Sequence, residues 1–270
     1  MKRGPRDDDP GHSRRQILTG LAAATGVLVV SRQAGAAEPP VVHAPSKPHQ
    51  WGLVIDLDRC VRCGGCVVAC QQENNVPPLG AKAPAHARPI HWMDFLPSGP
   101  GGLGEMPIPC MHCQDPPCVK VCPVGATYQN PDGITAQIWE RCIGCRACMV
   151  ACPYARRYFN WGAPSWPSDG SSLNPDVAPR PQGVVEKCTL CHHRIRAAFE
   201  RAAVDEEPLA DEALRRLPAC AGSCPSQAIT FGDLADPEST ISRLAQSPRA
   251  FRLLPESGTR PKVIYLREVR

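Results

Sequence analysis

Short apolar segments recur along the chain, and several of them lead directly into a group of cysteines. Segment length and composition predict β-strands at residues 51–56, 124–129, 134–139, 228–231 and 262–266. Asp132 and Gly133 separate two of these segments and predict a hairpin turn. Residues 195–204 and 210–217 have helical spacing, and a further helix is expected with Asp236 as its N-cap. The pattern predicts an α+β fold built from short elements.

The first 36 residues indicate an export signal. Arg14 and Arg15 precede a weakly apolar stretch at 17–30 and small residues at 34–36, which is the pattern of a twin-arginine signal. About 14 apolar residues are too few to span a bilayer. We therefore expect a mature protein in the periplasm that is soluble or peripheral to the membrane. Residues 37–50 are rich in proline and are interpreted as a linker.

Composition suggests that a cofactor stabilises the fold. The chain has 16 Cys, 31 Pro and 22 Gly, but only 5 Trp, 5 Phe and 4 Tyr in 270 residues. So few aromatic side chains bury little apolar surface for a protein of this size. The formal net charge of +4 comes from scattered basic residues and gives no sign of nucleic-acid binding. No nucleotide fingerprint or acid–base grouping is present, so no catalytic residue is expected.

The sixteen cysteines fall into four groups of four. The run from Cys142 to Cys152, followed by Pro153, has the C-x2-C-x2-C-x3-C-P spacing of a bacterial 4Fe–4S site. In such runs the last cysteine serves a second cluster. The groups are Cys60, Cys63, Cys66 and Cys70; Cys110, Cys113, Cys118 and Cys122; Cys142, Cys145, Cys148 and Cys152; and Cys188, Cys191, Cys220 and Cys224.

Exchange of the last cysteine between paired runs predicts the ligands of four 4Fe–4S clusters. The predicted sites are Cys60/Cys63/Cys66/Cys224, Cys188/Cys191/Cys220/Cys70, Cys110/Cys113/Cys118/Cys152 and Cys142/Cys145/Cys148/Cys122. This arrangement corresponds to two interleaved bacterial-ferredoxin-like subdomains with long loop insertions. The outer subdomain would comprise residues 51–109 and 184–233 and the inner one residues 110–183, followed by a docking tail at 234–270.

Two alternatives have no redox role. An exported protein with an even number of cysteines is often a disulfide framework, although cysteines two residues apart suit metal binding better. Four zinc sites are the other alternative, but only the split fourth group has the usual zinc spacing. His112 either tunes a cluster potential by hydrogen bonding or is a solvated loop residue, and the second interpretation is preferred. His192 and His193 are interpreted as helix-surface residues. Arg156 and Arg157 either offset cluster charge or contact a partner.

The order of the four runs, the stretched Cys110–Cys122 run, the Cys152-Pro-Tyr154 sequence and the split fourth run resemble one known family. It comprises the four-cluster iron–sulfur subunits of the DMSO reductase superfamily, and the resemblance covers residues from about 51 to 233. Membership implies a non-catalytic electron-transfer subunit of an oxidoreductase complex. Such subunits relay electrons between an integral-membrane quinone-interacting subunit of the polysulfide reductase type and a redox partner, such as a molybdopterin subunit or a cytochrome. Cys145 is retained, so no 3Fe–4S centre is expected.

The export signal and the Asn74-Asn75-Val76-Pro77 sequence are similar to periplasmic members of this family. Those members serve tetrathionate reductase, formate-dependent nitrite reduction and the sulfite reductase-associated complex. The last is slightly favoured, because the chain carries a signal of its own. A free periplasmic polyferredoxin is the alternative. The long insertions at 71–109 and 154–183 favour an assembled subunit, which needs docking surface.

Overall fold

The computed structural model describes residues 48–77, 89–97, 105–164, 166 and 173–269. The expected export signal and all but the last three residues of the expected linker lie outside these ranges. All the described residues belong to a single structural unit. Among the helices in the described ranges, none combines the length and the apolar character that crossing a bilayer requires.

The described elements are short, and the fold is mixed α/β. The strands are β1 (Trp51–Asp56), β2 (Asp94–Leu96), β3 (Met106–Ile108), β4 (Thr127–Gln129), β5 (Thr135–Gln137), β6 (Tyr158–Phe159), β7 (Val185–Glu186), β8 (Ile229–Asp233), β9 (Ala250–Phe251) and β10 (Val263–Leu266). The α-helices are α1 (Gly65–Glu73), α2 (Pro117–Lys120), α3 (Ala147–Val150), α4 (His192–Val204), α5 (Asp211–Leu214), α6 (Ala219–Gly222) and α7 (Thr240–Ala245).

A four-stranded sheet of order β8-β1-β10-β9 carries much of the core. Strand β1 is antiparallel to β8, with Val54 opposite Thr230, and parallel to β10, with Val54 opposite Ile264. All four residues of β10 are buried, so this strand is an interior part of the sheet. The segment expected to be a docking tail therefore also completes the sheet.

The expected hairpin is present as β4 and β5, with Gly133 at φ 72° in its turn. The helices expected near 195–204 and 210–217 correspond to α4 and α5. The capping prediction for the last helix is wrong. Its N-cap is Ser239, whose Oγ accepts a hydrogen bond from the Ser242 amide at 3.2 Å. Asp236 instead accepts from the Glu238 amide and lies one turn too early.

The two long insertions contribute to the interior. Trp92 is buried in the main core, and Arg180, from the other insertion, is also buried. Glu186 of β7 joins them: its Oε2 accepts from Trp92 Nε1 at 3.0 Å and from Arg180 Nε at 2.9 Å. The Arg180 guanidinium also lies 4.7 Å from the centre of the Trp92 ring. These parts of the insertions therefore stabilise the fold, in addition to any docking role.

Helix α1 packs against α6, and helix α2 packs against α3. Each of the four helices contains at least one cysteine: α1 contains Cys66 and Cys70, α6 Cys220, α2 Cys118 and α3 Cys148. Another cysteine follows within a few residues of the end of α6, α2 and α3. Each helix pair therefore brings together cysteines from runs that are distant in sequence.

Candidate cluster-binding sites

All sixteen cysteines lie in the described residues, and none of them forms a disulfide. One cavity is lined by Cys60, Cys63, Cys66 and Cys224. Burial and the charges of the other three thiols raise the pKa of Cys66 to about 12. A second cavity is lined by Cys122, Cys142, Cys145 and Cys148. These are two of the four sets predicted from sequence.

The remaining cysteines approach one another as two further sets. Burial first, then the charges of the Cys188, Cys191 and Cys220 thiols, raise the pKa of Cys70 well above its usual value. Burial and the charges of Cys110, Cys118 and Cys152 raise the pKa of Cys113 to about 12. The four quartets are named here sites A (Cys60/Cys63/Cys66/Cys224), B (Cys70/Cys188/Cys191/Cys220), C (Cys110/Cys113/Cys118/Cys152) and D (Cys122/Cys142/Cys145/Cys148).

Several sulfur atoms accept hydrogen bonds from the main chain. The amides of Leu190 and Ala228 donate to Cys188 Sγ and Cys224 Sγ, each at 3.3 Å. The Thr127 amide donates to Cys122 Sγ at 3.4 Å. Burial alone would raise the pKa of Cys122, but hydrogen bonds from this and neighbouring amides outweigh burial and lower it. Donors aimed at sulfur stabilise a thiolate, which is the form that binds metal.

Two side chains also donate to the sulfurs. Arg157 Nη2 lies 3.1 Å from Cys118 Sγ, and the guanidinium is held by Gln137 Oε1 at 3.1 Å. Burial would lower the pKa of Arg157, but the nearby thiols, Cys118 first among them, raise it. Asn74 Nδ2 lies 3.5 Å from Cys191 Sγ and 3.8 Å from Cys70 Sγ. Asn74 therefore contacts two members of site B.

Positive charge is in excess in the interior. In the described part of the chain five buried cations accompany one buried carboxylate, Glu186: they are Arg156, Arg157, Arg180, Lys187 and Lys262. A 4Fe–4S core held by four thiolates carries about −2 in its oxidised state. Buried charges require partners. The positive surplus therefore fits anionic clusters at the four sites.

The structure corrects the interpretation of His112 and decides between the alternatives for the arginines. His112 is 1% exposed, not a solvated loop residue, and burial lowers its pKa well below the usual value. Arg156 and Arg157 are both buried, so they are not available to a partner at the surface. Of the two expected helix-surface residues, His192 is exposed, whereas His193 is half-buried and bonds Glu73 at 2.7 Å.

Interactions between thiols of neighbouring sites connect the four sites in the order A, B, C, D, and this succession is called the row here. Burial and other thiols, including Cys66 of site A, raise the pKa of Cys220 in site B. Burial and the charge of Cys110 in site C raise the pKa of Cys188 in site B to about 12. Burial and the charge of Cys118 in site C raise the pKa of Cys148 in site D. Cys63 in site A and Cys145 in site D are the two exposed cysteines, so the row opens to solvent at both ends.

Sequence reasoning missed two residues of this region, Asn74 and Lys187. Lys187 is buried, and its Nζ donates to the carbonyl oxygens of Thr135 and Cys188. Asn74 stands out in the sequence only as part of a family-like motif. Each lies close to a cysteine run in sequence, and this proximity is the signal that could have identified them.

Comparison with known proteins also indicates 4Fe–4S cluster binding. A 4Fe–4S dicluster domain matches residues 104–167, and a 4Fe–4S binding domain matches residues 51–72. The iron–sulfur cluster-binding subunit of menaquinone reductase from Nitratidesulfovibrio vulgaris is 46% identical over 226 residues, covering 80% of this chain and 88% of that protein. A tetrathionate reductase subunit from Salmonella typhimurium is 34% identical over 260 residues, covering 94% of this chain and 88% of that protein.

The chain belongs to the iron–sulfur electron-transfer subunits of the DMSO reductase superfamily. Iron–sulfur subunit 1 of an Hdr-like menaquinol oxidoreductase from Archaeoglobus fulgidus is a further relative, 36% identical over 277 residues and covering 94% of this chain and 97% of that protein. Members of the family relay electrons in membrane-associated redox complexes, and 4Fe–4S clusters are their cofactors. Membership rules out the zinc and disulfide alternatives and confirms the electron-transfer function.

Proposed function

We propose that the protein holds one 4Fe–4S cluster at each of sites A to D and conducts electrons along this row between two partners. The row of four cysteine quartets, open at both ends, is the observation that supports this function best. Burial of the two middle sites protects their clusters from solvent. The cysteines supply ligands, and the amides and buried cations stabilise the added negative charge.

The surfaces at the two ends are suited to partner subunits. Close to Cys145 in sequence, Ile143 is 65% exposed and Val150 is 89% exposed. Near Cys63, Val61 is 65% exposed. Exposed apolar side chains grouped beside a redox site are typical of an interface. This supports an assembled subunit over a free polyferredoxin.

We assign one partner as an integral-membrane, quinone-interacting subunit and the other as a periplasmic redox protein, such as a molybdopterin subunit or a cytochrome. Two of the relatives are named for menaquinone or menaquinol, which supports the quinone link. The twin-arginine pattern at Arg14 and Arg15 supports export. Within this class the sulfite reductase-associated complex stays our preferred assignment, on the ground of the chain's own signal.

Anaerobic purification of the native complex after mild detergent extraction tests the proposal. The protein should migrate with a membrane subunit and contain about sixteen iron atoms, four for each cluster. Replacing Val150 by Asp should weaken this association without loss of iron. Replacing Val204 by Asp is the matched control, because this exposed valine at the end of α4 is far in sequence from both exposed cysteines. Far fewer irons, or free migration of the wild-type protein, would contradict the proposal.

A further inference from the structure

His112 is an unusual residue in the middle of the row of sites. It lies between Cys110 and Cys113 of site C and has a left-handed backbone, with φ 40°. The side chain is almost completely buried. Within the described residues, neither Nδ1 nor Nε2 has a hydrogen-bond partner. Buried polar atoms almost always have one, so this pair of orphaned nitrogens requires an explanation.

The ring needs an acceptor whatever its charge. A neutral imidazole has one N–H donor, and a protonated imidazole has two. The groups whose charges act on the His112 ring are Lys187, Lys262, Arg157 and His192. The first three are donors and His192 is another imidazole, so the surroundings of the ring are electropositive. None of these four groups offers the ring an anionic acceptor.

The neighbours of His112 also locate the ring. Lys187 precedes Cys188, and His192 follows Cys191, so both flank ligand positions of site B. Arg157 contacts Cys118 of site C. The ring consequently lies at the junction between the two middle sites. At this junction the outer and inner cysteine sets meet, and an electron moving along the row has to cross it.

We propose that a ring N–H of His112 donates a hydrogen bond to a sulfur atom of a middle cluster, at site B or site C, and raises its reduction potential. This inference rests on the ligand sets of the proposed function. Sulfur bound to iron is the acceptor that such a site supplies, and hydrogen bonds to cluster sulfurs shift the potential. The bond strengthens when the cluster gains an electron, because the acceptor becomes more negative. His112 is thus a positioning and tuning residue for transfer between the middle clusters.

Pulsed EPR on the anaerobic, cluster-loaded protein tests the proposal directly. With ¹⁵N-labelled histidine, a reduced middle cluster should show a histidine nitrogen coupling. His112→Leu should abolish it, whereas His192→Gln, the control beside Cys191, should leave it. A wild-type protein without any histidine coupling, or a coupling that survives in His112→Leu, would overturn the proposal.

Potentiometry provides the second readout. His112→Leu should make reduction of a middle cluster about tenfold less favourable, a fall of ~59 mV for a one-electron couple. His112→Gln, which retains an N–H donor, should recover part of the shift, and the clusters at sites A and D should be unaffected. Equal potentials in wild type and His112→Leu, with full iron content in both, would refute the tuning role alone. Incomplete iron in the wild type would instead refute the proposed function.

Discussion

Arg157 offers the sharpest test of how the protein controls its clusters. The guanidinium is buried, lies 3.1 Å from Cys118 Sγ and is fixed by Thr127 and Gln137. Replacing Arg157 by Gln removes a positive charge beside site C. Reduction adds negative charge to the cluster, so the loss of the cation should lower the reduction potential.

The size of the shift follows from Coulomb's law. A full unit charge at 3.1 Å interacts with the guanidinium by about 5 kcal/mol at an effective dielectric constant of about 20. The added electron is shared by the whole cluster, so roughly a quarter of it acts at this ligand, or about 1.3 kcal/mol. This corresponds to about 60 mV for a one-electron couple.

The assay is an anaerobic potentiometric titration followed by EPR. In the Arg157→Gln variant the potential of the site C cluster should fall by about 60 mV. The potential of site D should fall less, because Cys118 of site C raises the pKa of Arg157 more than Cys148 of site D does. Arg157→Lys is the matched control and should retain most of the potential. An unchanged site C with full iron content, or an equal fall at all four sites, would refute the reasoning.

Three further changes should alter stability. Gly144→Ala should cost about 1–3 kcal/mol and reduce iron content, because φ is 69° and a Cβ would collide with a backbone carbonyl. Arg180→Met should lower the free energy of unfolding by about 3–5 kcal/mol, since the buried Glu186 carboxylate would lose the cation that pairs with it. The bond to Asp233 outweighs burial and raises the pKa of His49, so the stability that His49 adds is complete below its usual 6.5 and is lost as pH rises through the raised value. His49→Gln should therefore destabilise the protein more at about pH 5.5 than at about pH 9 in urea titrations.

Matched variants separate these effects from general damage. Gly64→Ala has a similar backbone strain, with φ 76°, but free space around the new Cβ, so it should retain more iron than Gly144→Ala. Arg196→Met removes an exposed ion pair with Glu200 and should leave unfolding nearly unchanged. Burial would raise the pKa of Asp233, but His49 lowers it, so the His49 effect should also fade in strong acid. Equal losses in Gly64→Ala and Gly144→Ala, or in Arg196→Met and Arg180→Met, would contradict the respective explanation.

The local features were readable from the chain because they depend on neighbours in sequence. Cysteine spacing reflects how three thiolates fit on one loop. The β4–β5 hairpin follows from its glycine turn, and α4 from its helical spacing. The predicted N-cap of α7, Asp236, was wrong by only one turn, since the helix is capped by Ser239.

Other features depended on contacts between distant segments. The parallel pairing of β1 with β10 joins residues more than two hundred positions apart in the chain, which no local pattern specifies. The burial of Trp92 and Arg180 follows from a shared carboxylate, Glu186. The environment of His112 is set by residues from three separate segments.

By itself the sequence determined the type of cofactor and the family, because thiolate spacing and run order are properties of short segments. Only the tertiary structure decided the order of the four sites, which ends of the row are open, and which polar side chains are buried beside the sulfurs. These properties depend on which distant segments share one low-dielectric interior, where an unpaired charge or donor is too unfavourable to persist.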